Sequence, residues 1–119
     1  MSNTFTMYRG DTVSLLASVV ANGAVYDITG AAIYFTAKWN YTDEDGSAVF
    51  QKSIGSGISV TSAVNGRFTV TISPTDTSSL TNGKHQLLWD CQMVTSQGSI
   101  YTLASGYLVV YPDVTLRTS

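Results

Sequence analysis

His85 and Cys91 are the two side chains of this chain best suited to nucleophilic chemistry, the imidazole as base and the thiol as attacking group. Both fall in one alternating run, Lys84 to Val94. On an extended strand that spacing separates them by about 20 Å, too far to share a proton. His85 therefore reads as a strand-end residue near solvent, and Cys91 as a small core hydrophobe. Serines are plentiful, but no Gly-x-Ser-x-Gly elbow is present to activate one. Asp43-Glu44-Asp45-Gly46 shares its acidic character with a calcium loop, yet the closing bidentate Glu is missing. One His and one Cys are too few for a structural zinc site. Neither a metal nor a cofactor is expected, and the chain reads as non-enzymatic.

Two further groups are chemically suggestive. Arg9-Gly10-Asp11 spells the integrin-recognition tripeptide. Gly10 is better explained as the turn that delivers the chain into the next strand, with Asp11 bonding backbone amides. Tyr8, Tyr34, Tyr101 and Tyr111 fall at outward or edge positions and are the candidate interface residues. Amphipathic rings of this kind pack across strands on a wetted sheet, anchor protein interfaces, or line sugar-binding faces.

The elements that would position these residues are strands. Apolar residues recur at every second position in Val13-Leu15-Ala17-Val19, Ile33-Phe35-Ala37-Trp39, Phe68-Val70-Ile72 and Leu87-Trp89-Cys91-Met93. That is the period of a strand with one buried face and one wetted face. Trp89 and Trp39 are expected to be the largest contributors to the core. Only 12% of the 119 residues are charged, about half the usual share, and 16 Thr and 15 Ser supply polarity instead. Threonine suits strands and serine suits turns. A net charge of −2, with six Lys and Arg scattered along the chain, excludes a phosphate-tracking basic stripe, so no nucleic-acid partner is expected. No apolar stretch is long enough for a membrane helix, and Met1-Ser-Asn-Thr does not open a signal peptide, so folding in a reducing cytoplasm is expected. Few charges also favour self-association, so an oligomer is expected.

Short strands at about ten-residue spacing with turns between them indicate an all-β sandwich or small barrel in one domain, residues 1–119. Thr4 to Tyr8 is expected as an edge segment, Thr12 to Ala21 as the second strand and Ala32 to Asn40 as a central one. Further strands are expected at Val49 to Lys52, Ile58 to Thr61, Arg67 to Ser73, Lys84 to Val94, Ile100 to Leu103 and Tyr107 to Tyr111. Asn22-Gly23 suits a tight hairpin turn, and Asn65-Gly66 marks another. Thr42 to Gly46 reads as a polar loop and Asp113 to Ser119 as an extended tail. The stretch Pro74 to Leu80, after Ser73, carries the marks of one short helical turn.

In order, Arg9-Gly10-Asp11-Thr12, Tyr26-Asp27-Ile28-Thr29-Gly30 and Gly57-Ile58-Ser59-Val60 resemble the immunoglobulin-like domains of tailed-bacteriophage virion proteins. Ser73 to Leu80, Tyr101 to Gly106 and Val110 to Thr115 continue the likeness, which is greatest to the N-terminal domain of phage baseplate upper proteins. The resemblance implies an immunoglobulin-like, two-sheet antiparallel β-sandwich of about seven to nine strands. It also implies a non-enzymatic structural protein of the virion, made in the bacterial host cytoplasm. Its partners would then be other virion proteins of the tail or baseplate. Capsid decoration or a neck position is an alternative place, and glycan binding in host attachment an alternative role.

Overall fold

The computed structural model of the chain describes residues 2–40, 48–78, 80 and 83–112. The alternating runs become strands: β1 (Ser2–Tyr8), β2 (Val13–Ser18), β3 (Val20–Ala21), β4 (Ala24–Val25), β5 (Ala32–Lys38) and β6 (Phe50–Ile54). After these come β7 (Gly57–Ser62), β8 (Arg67–Ile72), the single-turn helix α1 (Pro74–Ser78), β9 (His85–Val94) and β10 (Ile100–Tyr111). Eight strands form one ladder in the order β1-β10-β9-β5-β6-β7-β8-β2, and β3-β4 is a separate hairpin. The fold is all-β and sandwich-like, because apolar faces from both halves of the ladder meet in one core.

The ladder differs from two separate antiparallel sheets in two ways. Its halves are stitched together by a parallel pairing of the consecutive strands β6 and β7, Ser53 opposite Gly57 and Ile54 opposite Ile58. Gly55 and Gly57 both take positive φ (88° and 99°), so the link coils instead of reversing, and the chain passes to the second half still running the same way. The other parallel pair is β1 with β10, which puts the first strand at one edge.

Inward positions match the alternation closely. Ile33, Phe35, Ala37, Phe68, Val70, Ile72, Leu87, Trp89, Cys91, Met93, Leu108 and Val110 are all buried. Trp39 departs from expectation. The strand ends at Lys38, the backbone bends, and the Trp39 ring stays 44% exposed against 5% for Trp89. Ala104-Ser105-Gly106 does not interrupt a strand either; β10 runs through it with a bulge between Thr102 and Ala104. The expected strand from Thr12 to Ala21 breaks at Val19. That residue leaves the β2–β8 register to donate its N–H to the Gly66 carbonyl (2.8 Å) and to accept from the Tyr26 N–H (3.0 Å). Thr42 to Gly46, with the acidic run in it, and Asp113 to Ser119 lie outside the described residues.

Turn chemistry follows the sequence. Asn22 and Gly23 both have positive φ (53° and 76°), as a two-residue hairpin requires. Ser73 caps α1: its N–H and its hydroxyl both donate to Asp76 Oδ2, at 2.7 and 3.0 Å, and Lys52 Nζ reaches the same oxygen at 2.6 Å. Gly66 is tightly constrained. At φ 68° a Cβ would press on the carbonyl oxygens of Tyr26 and Val19, both backbone atoms that cannot swing away.

Two measurements check this packing. Gly66→Ala is expected to lower unfolding free energy by at least about 2 kcal/mol, read from urea midpoints. Trp89→Ala is expected to cost about 3–5 kcal/mol, whereas Trp39→Ala should cost under about 1 kcal/mol; equal losses would contradict the facing described.

Candidate functional site

The outward parity of β5, β9 and β10 builds a polar face. Pairing places Ser105, Asp90, Thr36 and Gln51 in one row across β10, β9, β5 and β6. Thr102, Gln92, Tyr34 and Ser53 form the next row. Thr102 and Ser105 are of opposite parity on a regular strand. The bulge between Thr102 and Ala104 brings both onto this face.

Two adjoining hollows of about 310 and 260 Å³ lie along it, and Thr36, Lys38 and Asp90 line both. Thr36 keeps only 7% exposure although it faces outward, because it forms the floor. Gln51 Nε2 donates to its hydroxyl at 3.0 Å. Tyr34, Gln92, Val94 and Ile100 wall the larger hollow; Asn40, Leu88, Thr102 and Ser105 wall the smaller one. The lining therefore holds one cation, one carboxylate, three side-chain amides, several hydroxyls, the aromatic Tyr34 and Trp89, and the apolar Leu88, Val94 and Ile100. Such a surface can hydrogen-bond a neutral polar ligand in both directions.

The four candidate tyrosines do not form one patch. Tyr8 and Tyr111 face each other at the ends of β1 and β10, ring centroids 5.9 Å apart, with Lys84 Nζ 5.5 Å from the Tyr111 ring. Tyr101 lies at the far end of β10, opposite Met93, about 33 Å along the strand from Tyr111. Tyr34 alone lines the groove. Tyr107, not among the candidates, is on the same face, opposite Leu88.

Nucleophilic chemistry finds no assembled pair in His85 and Cys91. His85 packs edge-on against Trp39, ring centroids 5.4 Å apart, while Leu87 and Trp89 separate it from Cys91 along the inner face. Burial, with the neighbouring Asp90 carboxylate adding to it, pushes the Cys91 thiol up to about 12. Among the described residues, no three His, Cys, Asp or Glu side chains group as a metal cluster, and no helix is long and apolar enough to cross a membrane.

Arg9-Gly10-Asp11 is a structural corner. Gly10 has φ 83° and donates its N–H to Thr77 Oγ1 at 2.9 Å; Arg9 donates from its guanidinium to the Leu80 carbonyl at 2.9 Å. Thr77 is fully buried, so this contact ties the β1–β2 turn to α1. Asp27 makes a local turn, accepting from the N–H and the hydroxyl of Thr29, and these bonds hold its carboxyl below the usual range.

The alternation in the sequence places Tyr34, Thr36 and Lys38 on one wetted face and Leu88, Asp90 and Gln92 on another, but does not make the two faces adjoin. Nothing in the alternation states that β5 pairs with β9, or that a bulge turns Thr102 and Ser105 the same way. Among known proteins, no family model matches this chain and no curated protein matches it.

Cys91 supplies a pH test. A thiol that titrates near 9 when unfolded and near 12 when folded leaves stability intact below about pH 9 and erodes it as pH rises toward 12. Cys91→Ala is expected to flatten that slope in urea titrations between pH 8 and 10.5. A wild-type midpoint as steep as the variant's would contradict it.

Proposed function

We propose that this chain is a non-enzymatic, immunoglobulin-like structural module of a bacteriophage virion, assembled into the tail or baseplate through its sheet edges. The observation that carries the reading is the state of the two terminal strands. β1 and β2 each pair on one side only among the described residues, with β10 and β8 respectively. Edge strands of monomeric proteins are usually blunted by lysine, proline or inward charges. Here Ser2–Tyr8 and Val13–Ser18 contain no charged residue and no proline, and Leu16 stands out at 85% exposure. Unpaired backbone with an apolar knob suits strand addition by a neighbouring subunit.

The motifs that carry the family resemblance support the same reading by being structurally joined. Arg9-Gly10 and the Ser73 to Leu80 segment meet through Thr77 and Leu80. They serve the fold as a corner and a brace. Exposed Tyr8, beside Tyr111 on the β1 edge, adds an aromatic anchor of the kind enriched at interfaces.

The test combines localisation with edge blocking. Reconstruction of purified particles that carry this protein is expected to show its density at the tail or baseplate. Density on the capsid lattice would replace that placement, and absence from particles would remove the reading. Thr6→Lys and Leu16→Lys should each change stability by less than about 0.5 kcal/mol while reducing incorporation into particles. Undiminished incorporation of both variants would exclude the edges.

A further inference from the structure

The outer groove of β10, β9, β5 and β6 has no part in edge-to-edge assembly, and its chemistry points to a ligand. We propose that it is a binding site for a neutral oligosaccharide laid across the strands, with Asp90, Gln92 and Gln51 bonding hydroxyls and Tyr34 stacking on a sugar ring.

Charge excludes the main competitors. With Lys38 and Asp90 both lining each hollow, the floor is electrically balanced, which suits neither phosphate nor a polyacidic ligand. A wholly apolar ligand would cover the polar groups of Gln92, Thr102 and Ser105 on this face without offering them a hydrogen bond. A sugar satisfies both demands. Its hydroxyl edges donate and accept, as planar amides and carboxylates require, and its C–H face packs on an aromatic ring.

Shape adds the length. The two hollows adjoin through Thr36, Lys38 and Asp90, so the depression is a continuous trough. Tyr34 and Tyr107 sit on the same face, two strands and two rows apart, which is about 16 Å at standard strand spacing. Tyr34 lines the larger hollow and keeps 38% exposure, while Tyr107 stands outside both hollows, in the row of Leu88 and Lys38. Thr36 is already bonded to Gln51, so the floor is built before any ligand arrives. Two joined hollows of about 310 and 260 Å³ take more than one linked ring and hold a single one less well.

The test is a ¹⁵N–¹H correlation titration of the intact chain with maltohexaose, cellohexaose, chitohexaose and a galactan hexasaccharide, each beside its monosaccharide. At least one hexasaccharide is expected to shift amides of Thr36, Asp90, Gln92 and Thr102, and to bind at least about tenfold more tightly than its monosaccharide. Tyr34→Ala and Gln92→Ala should each weaken binding about tenfold with the spectrum otherwise intact. Leu16→Lys, which blocks the edge and not the groove, should bind as the wild type does. Shifts confined to another face, equal affinity for one ring and six, or no shift with any hexasaccharide at millimolar concentration would overturn the proposal. Those failures would leave the virion reading standing, since particle incorporation is measured separately.

Discussion

Four aromatic rings laid side by side across the inner face hold the first half of the ladder in register. Phe5 tilts against Trp89 at 5.1 Å, Trp89 stacks on Phe35 at 5.2 Å, and Phe35 stacks on Phe50 at 6.1 Å. The row crosses β1, β9, β5 and β6, and it passes over β10 where Gly106 stands opposite Trp89. The period of a strand is two, so a slip of one residue in any member would turn its ring to water and bring polar groups inward. Register is therefore locked by burial rather than by backbone hydrogen bonds, which any register would satisfy.

What the inner row dictates, the outer face inherits. Once Trp89, Cys91 and Met93 face the core, Leu88, Asp90 and Gln92 must face out. Their neighbours on β5 and β10 are then set by the same pairing. The groove is the reverse side of the core. This also explains the buried thiol: Cys91 sits among packed rings, next in sequence to a surface carboxylate, and both circumstances favour its neutral form. The groove and the core thus share a single constraint, and Trp89 belongs to both.

The opposite end of the ladder is held differently. β2 pairs with β8 along Val13–Ser18; Phe68, Val70 and Ile72 are buried in the core, and the Val19–Gly66 bond and the brace from Gly10 to Thr77 tie down the two ends of β2. β1 and β2, the two ends of the ladder among the described residues, are consecutive in sequence and joined by the Arg9-Gly10 corner.

The sequence alone determined most of the inward positions and turns, Trp39 excepted. Alternation located the strands within a few residues, Asn22-Gly23 marked its hairpin, and Ser73-Pro74 marked the helical turn, because these features depend on local dihedral preference and period. It erred at Trp39, since alternation cannot report that a strand has ended. It also erred at Ala104 to Gly106, since small residues look like a break whether or not a neighbouring strand supplies hydrogen bonds. The tertiary structure alone decided which strands are neighbours, that a coil at Gly55 and Gly57 joins the two halves, and that a bulge turns Thr102 and Ser105 onto one face with Asp90. Those facts rest on contacts between residues far apart in the chain, and a periodicity of two carries no information about which partner lies across.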